Sequence, residues 1–428
     1  MALVKEAVRQ WKRAQPAGKE WLILKRNHLI ASVLVFALLS ALCASACASA
    51  MLPMFKPQGN VTISREEYNR LRQYEKLDML LQLVQMYYYE DVDTSEMLES
   101  AAYGLVAGIG DVYSTYYSKE DMDAFNEETE GEYAGIGCQL LADPTDQLIT
   151  ITRVFKGSPA EEVGMRTGDK IVYVNDVYYS AYEMDAAVDV MRGTPGESVK
   201  VTVMRGLETI DFDITRKVVN INYVEHQILE GNIGYVMVYD FLGDAVEGFK
   251  AALESFEAAG VCGMIIDLRN NGGGLLDASV AMADMILPEG TVVSMRDKAG
   301  NEEAFTIDGE YYNVPMVVLV NEYSASASEI LAGAIRDTGE GTLVGTTTFG
   351  KGVVQSVVDF PDGSGLKVTT ARYYTPSGEC IHEVGIVPHV SVELDEEVVT
   401  LYGINNLPHD QDAQLQKAIE LLAGGQVQ

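Results

Sequence analysis

Two short segments carry residue types that together can cut an acyl bond. The first is Leu319-Val320-Asn321-Glu322-Tyr323-Ser324-Ala325-Ser326-Ala327-Ser328-Glu329. An apolar strand runs out, a turn of small residues follows, and a helix begins. A serine in such a turn has its hydroxyl beside helix N-terminal amides, which can stabilise an oxyanion as the hydroxyl attacks a carbonyl. The same residues, Ser326 to Glu329, also spell a capping box, and most serines so placed only cap a helix. The second segment is Thr347-Thr348-Phe349-Gly350-Lys351-Gly352-Val353-Val354-Gln355. Glycines on both sides of Lys351 permit close backbone approach. Burial would pull its amine from about 10.4 towards neutrality. A neutral amine can accept the serine proton as general base. Gln355, four residues on, can hold that amine by a hydrogen bond. The plain reading of Lys351 is a surface lysine in a glycine turn.

Other chemistries fit less well. Gly345 to Lys351 matches the GxxxxGK phosphate loop, but Gly352 stands where a Ser or Thr would hold magnesium, and Val353–Phe360 reads as a strand. His226, His382, His389 and His409 each lack a small-residue motif, so a Ser–His–Asp triad is the weaker serine-enzyme reading. No HxxxH or HxH occurs, which argues against a metal enzyme, and no cofactor is expected. A third segment, Asp267-Leu268-Arg269-Asn270-Asn271-Gly272-Gly273-Gly274, lies between a strand and a helix. Its glycine amides can form the second half of an oxyanion hole, or simply a tight turn.

The elements that must position these residues follow from periodicity. Ile233–Val238, Met264–Leu268 and Met316–Val320 read as buried strands. Ala245–Ala259, Leu275–Leu287 and Ser326–Asp337 read as helices, and Gln414–Leu422 closes the chain as another. That alternation predicts an α/β layer domain over 218–395, with a helical segment over 396–428. Ahead of it, residues 131–217 form a β-rich domain: strands at Ile149–Val154, Ile171–Asn175 and Val199–Met204, a helix at Tyr182–Met191, and turn signals between. Residues 61–130 form a helical region, opening on the capping-box pattern Ser64 to Glu67 and running to about Tyr89, with a second helix over Ser95–Ile109.

The first 28 residues carry seven Lys or Arg against two Glu, and Leu29 to Phe55 contains no charge. The run at 29–52 is expected to be a transmembrane helix or signal anchor, with residues 1–28 cytoplasmic and everything after it extracytoplasmic. A cleaved secretory signal is the alternative. Cys43 and Cys47 lack the apolar residue that a lipoprotein signal would place three positions earlier. Five scattered cysteines form neither a disulfide framework nor a zinc spacing. The net charge of −32 repels phosphate backbones and makes nucleic acid an improbable partner.

Four motifs, in order, give the chain a resemblance: DLRNNGGG (267–274), VNEYSASASEILAGAIRD (320–337), TFGKGVVQ (348–355) and ARYYTPSGE (371–379). They resemble the carboxyl-terminal processing peptidases, the tail-specific serine proteases of family S41. Glu132 to Gly137, Val154 to Ala160 and Thr167 to Ile171 are similar to that family's PDZ signatures, and Gly110 to Tyr116 to its pre-PDZ segment. The resemblance implies a PDZ domain with two helices over 131–217 and a crotonase/ClpP-like α/β peptidase core. It implies that Ser326 is the nucleophile, Lys351 the base and Gln355 its orienter. The amide of Ala327 and one of Gly272 or Gly273 would form the oxyanion hole. Gly135, Ile136 and Gly137 would receive a substrate's terminal carboxylate through backbone amides. Two departures stand out: Gly272 replaces the family's usual proline, and His389 a frequent aspartate. The implied function is serine endopeptidase cleavage at protein C-terminal tails, with PDZ movement gating the site and Arg192 a candidate tether, although a solvated arginine is the plainer reading. A homodimer and an activating adaptor are further expectations. A catalytically silent PDZ scaffold and a crotonase-like acyl-thioester enzyme are the competing readings.

Overall fold

The computed structural model describes residues 62–143 and 146–425. The expected transmembrane segment at 29–52 and its basic leader lie outside the described residues. Among the described residues, no helix is long and apolar enough to cross a membrane. The chain divides into two compact units after Val92.

In the first unit Ser64 caps the helix Arg65–Leu71, its hydroxyl accepting the Glu67 N–H at 3.1 Å. What the sequence reads as one helix to Tyr89 is two. A 3-10 turn at Arg72–Tyr74 interrupts it, and Glu75–Tyr87 follows. Tyr74, at φ −94° and ψ −1°, leaves the helical range and marks the break.

The second unit opens with the helix Thr94–Ala107, capped by the Asp93 carboxylate. A further helix, Lys119–Glu130, carries a reciprocal cap between Ser118 and Asp121 and ends on left-handed Gly131. The sequence reading leaves it unassigned. Its cap uses Asp rather than the more familiar Glu or Gln, and half of its residues are acidic, so the apolar period is faint.

Residues 132–220 form a closed excursion. Strand Glu132–Gly135 enters it and pairs antiparallel with Lys217–Asn220, which leaves it. Between them lies a six-stranded antiparallel sheet whose main path is Cys138–Ala142, Ile149–Val154, Lys170–Val174, Ser198–Arg205 and Glu208–Thr215. Strict alternation buries Ile149 and Ile151 with Ile171, Val201, Val203 and Ile214. The helix Met184–Met191 adds Ala187 and Met191 to that core.

The main layer is a sheet in the order Val224–Leu229, Ile233–Val238, Gly263–Asp267, Met316–Val320, Gly341–Gly345, Val390–Ser391. Only the first pair is antiparallel. Its central strands are buried end to end, as a parallel sheet covered on both faces requires. Alternate residues serve opposite faces. Met264, Ile266 and Val318 pack with the helices Ala245–Ala259, Leu276–Asp284 and Ala327–Thr338, while Ile265, Val317 and Leu319 pack with Leu415, Ala418 and Leu421 of Ala413–Ala423. A second, antiparallel sheet joins Thr115–Tyr117, Val353–Asp359, Gly365–Tyr374, Gly290–Asp297 and Glu302–Ile307.

Two polar links hold these layers. Arg269, Asp267 and Asp412 are all buried; the guanidinium bonds Asp267 at 2.6 Å and Asp412 at 2.8 Å, and Tyr235 donates to Asp267 at 2.7 Å. Asp412 also caps the last helix. Arg153 joins the inserted domain to the layer, bonding Glu225 at 2.8 Å with its guanidinium 3.5 Å from the Tyr239 ring centre. Near it, burial pushes the Asp240 carboxyl up to about 7, and the Glu128 charge adds to the shift against that of Arg153.

Arg269→Met leaves two buried carboxylates without their cation and is expected to cost about 3–5 kcal/mol in denaturant unfolding. Asp240 has a raised value in the fold, so its ionisation opposes folding as pH rises. The cost is absent below about pH 3, grows from about pH 4 and is complete above about pH 8. Asp240→Asn should therefore raise Tm at pH 8 and leave it unchanged below about pH 3.

Candidate active site

Ser326 stands where the buried strand Met316–Val320 turns into the helix Ala327–Thr338, at φ +55° and ψ −114°. A non-glycine residue held there is strained, and the surroundings must fix it. Its two neighbouring serines explain how. Ser324 donates to the Leu268 carbonyl at 2.8 Å and accepts the Asn321 N–H at 3.0 Å. Ser328 donates to the Asn271 carbonyl at 3.0 Å. Both are fully buried, whereas Ser326 is half-exposed and its hydroxyl makes no cap bond. The outer serines stitch the turn to the 267–274 loop, and the middle one faces the cavity.

Glu329 is the connection that the sequence leaves hidden. It is 0% exposed, and its carboxylate accepts four bonds: the Ser326 N–H at 2.9 Å, the Thr348 hydroxyl at 2.6 Å, the Gly350 N–H at 2.7 Å and the Lys351 N–H at 2.8 Å. Its own N–H bonds the Ser326 carbonyl at 2.9 Å. Burial raises its carboxyl above the usual range, with the four donors holding it back. Around the lysine the glycines are needed for contact: a Cβ on Gly350 would stand 2.8 Å from the Gly385 nitrogen, and one on Gly352 2.6 Å from the His382 nitrogen.

Lys351 is half-buried, its amine 5.0 Å from the centre of the Tyr113 ring. Burial holds it below the ordinary lysine range; the charge of Lys367 works the same way, and those of Glu329 and Asp111 oppose. Tyr113 arrives on the segment 111–117, which Ser114 ties down by donating to Asp111 at 2.5 Å and accepting the Thr369 N–H at 3.0 Å. No local signal in Gly110–Tyr116 marks this role beyond the family resemblance.

Ser326, Ala327, Lys351 and Gln355 line one cavity of about 310 Å³, with Lys367 and Gly274 on its walls. Gln355 donates to the Thr369 hydroxyl at 3.3 Å. Of the glycine run, Gly273 presses hardest on the serine: at φ +115°, a Cβ there would stand 2.7 Å from that of Ser326. The Gly273 N–H is bonded to the Asn271 side chain at 2.8 Å. Gly272 has open space, and Gly274 reaches the cavity wall. None of the four weighed histidines lines this cavity; His389, for one, accepts the Leu343 N–H at 2.9 Å.

A second cavity, of about 580 Å³, runs along the inserted domain and is lined by Ile136, Leu140, Val188 and Met191. Of the three tail-binding candidates Ile136 reaches it, while Gly137 sits at φ +89° with its carbonyl accepting the Phe155 N–H at 3.0 Å. The Tyr133 ring folds against Gly135. Arg192 is not solvated alone: it bonds Glu127 at 2.9 Å and lies 5.1 Å from the Tyr133 ring centre. Phe125 and Glu128, on the same helix as Glu127, line both cavities.

Comparison with known proteins matches these parts. Residues 232–392 fit Peptidase family S41, residues 150–205 a PDZ domain, and residues 43–121 the activating protease CtpB N-terminal domain. The chain is 34% identical over 326 residues to the carboxy-terminal processing protease CtpA of Bacillus subtilis (strain 168), covering 76% of this chain and 70% of that one. It is 35% identical over 328 residues to the carboxyl-terminal-processing protease of Synechocystis sp. (strain ATCC 27184 / PCC 6803 / Kazusa), covering 75% and 76%. A candidate S41 protease of Bacteroides fragilis NCTC 9343 shares the fold, with a TM-score of 0.51 and 17% identity over 81% of this chain and 97% of that one.

Glu329→Gln keeps the size but presents N–H to groups that are themselves donors. It is expected to lower kcat/KM by at least about 100-fold and to cost about 2–3 kcal/mol of stability. Peptidase assays and denaturant unfolding of the same preparation check both.

Proposed function

The chain belongs to peptidase family S41, as a serine-type peptidase of the carboxyl-terminal processing group, and from that premise we propose that Ser326 and Lys351 are its catalytic dyad. The observation that carries this reading is the division of labour among three serines. Two spend their hydroxyls on the scaffold, and the third shares a cavity with an amine that burial favours as neutral. The Ser326 proton passes to Lys351 as the oxygen attacks the scissile carbonyl. The Ala327 amide and an amide of the 272–274 loop receive the oxyanion, Gly274 being the glycine on the cavity wall. The Lys351 ammonium then gives its proton to the leaving amine. Water, deprotonated by the same amine, releases the acyl group from Ser326. Gln355 steadies the lysine.

The substrate is a protein whose C-terminal tail adds as a strand to the PDZ groove, its carboxylate on the amides of Gly135 to Gly137 and its last apolar side chain against Ile136, Leu140 and Val188. Gating is the reading that the Arg192–Glu127 bond and the shared helix Lys119–Glu130 favour, since a tail entering one cavity meets a helix that also walls the other. The basic leader and uncharged run at 29–55 support a single-pass membrane protein with a cytoplasmic N-terminus and an extracytoplasmic peptidase. Residues 43–121 match the activating protease CtpB N-terminal domain, and activation by a partner and a homodimer through the terminal helical regions remain parts of this proposal.

The test uses the full chain in detergent and an unfolded protein with a free apolar C-terminus. Ser326→Ala and Lys351→Ala should each lower cleavage at least about 1000-fold while staying folded. Amidating the substrate's terminal carboxylate should raise KM more than it changes kcat. Cleavage by both variants at the wild-type rate would sink the dyad. A silent wild type that still binds tail peptides points to the scaffold, and thioester turnover points to the crotonase-like reading. Because Lys351 acts as the neutral amine, kcat/KM should rise with pH along a limb centred below the ~10.4 of a free lysine.

A further inference from the structure

The active-site cavity holds a second lysine that the dyad does not use. Lys367 lies on strand Gly365–Tyr374, which pairs with Val353–Asp359. In that ladder Gln355 faces Thr369 and Val357 faces Lys367, so the lysine is the next residue along from the Gln355–Thr369 pair on one face of the hairpin. Gln355, Val357, Lys367 and Lys351 all line the cavity.

The Lys367 amine rests on a shelf. It lies 5.2 Å from the Tyr117 ring centre and 5.8 Å from that of Phe125, and these two rings stack on one another at 5.3 Å. Ring faces attract an ammonium ion. No carboxylate lies within ion-pairing distance of Lys367 among the described residues. In a chain with 63 acidic residues and 31 Lys or Arg, a cation without an acidic partner beside a catalytic amine calls for a reason.

We propose that Lys367 is a positioning residue for the reaction, a standing positive charge on an aromatic shelf that keeps Lys351 in its neutral, proton-accepting form. The inference rests on reading Lys351 as the base. A like charge in a partly dry cavity disfavours a second ammonium. The other groups around Lys351 set the background. Glu329, from the nucleophile helix, and Asp111, from the segment before the PDZ domain, favour the ammonium; Lys367 opposes them. Tyr113 faces the amine, Glu128 and Tyr373 line the cavity, and His382 and Glu383 stand on the loop packed against Gly350 and Gly352. Lys367 is therefore the cation placed to offset two carboxylates.

The experiment is the pH dependence of kcat/KM for the full chain in detergent, with wild type, Lys367→Met, Lys367→Gln and Lys367→Arg, and Lys351→Ala as control. Removing the charge should move the limb towards higher pH by about one unit, which is roughly a tenfold loss on the acid side with the wild-type rate recovered on the alkaline plateau. Lys367→Arg should keep the wild-type limb, and added salt should move the wild-type limb more than that of Lys367→Met. Lys367→Gln serves if the Met variant does not fold. A rate lowered by one factor at every pH in Met and Gln variants, or a limb that stays in place, overturns the inference while the dyad stands. Activity in Lys351→Ala overturns the dyad itself.

Discussion

A buried carboxylate holds the candidate site together. Glu329 receives hydrogen bonds from the backbone of Ser326 on one side and from Thr348, Gly350 and Lys351 on the other. The turn at Ser326 and the loop at Lys351 have no regular secondary structure in common. The turn caps a helix behind the parallel sheet, and the loop feeds a strand of the second sheet. Without that common acceptor, four donors would be buried unpaired, each at about 1–3 kcal/mol. The site is thus assembled largely from the backbone of its loops, and the side chains of Ser326 and Lys351 are left to line the cavity.

The same economy governs the glycines. Gly273 lies so near Ser326 that any side chain would occupy the space of that serine, and Gly350 and Gly352 let the Lys351 loop meet the 382–385 backbone. The strained backbone of Ser326 persists because Ser324, Ser328, Asn271 and Asn321 bind the turn to the loop beside it. Strain at Ser326 is balanced by full hydrogen bonding around it.

Much of this was legible in the sequence where a pattern was strong. The buried strands Ile233–Val238 and Met316–Val320, the helix Ala245–Ala259 and the strand Ile149–Val154 lie where their periodicity put them. Ser326, Lys351 and Gln355 stand out in the sequence by residue type and spacing, and they meet at one cavity. What escaped had weak local signals. The helix Lys119–Glu130 is too acidic to show an apolar stripe. Most strands of the second sheet have one exposed face and pair across long separations, as Thr115 does with Lys367. Glu329 looked like a helix cap because its partners at 348–351 lie about twenty residues away. Lys367 and Tyr113 were invisible as site residues for the same reason: their meaning depends on tertiary placement, which no window of sequence contains.

The paired strands at 132–135 and 217–220 bear on how such a molecule can change. Chain enters and leaves the PDZ domain through one short ladder, so recognition is a module with a single doorway. Recombination that crosses at that doorway on both sides replaces the reader of tails and leaves the cutting machinery untouched. A lineage can in this way acquire new clients without relearning its chemistry. The seam at Arg153, Tyr239 and Asp240 is the surface that an incoming module would have to match.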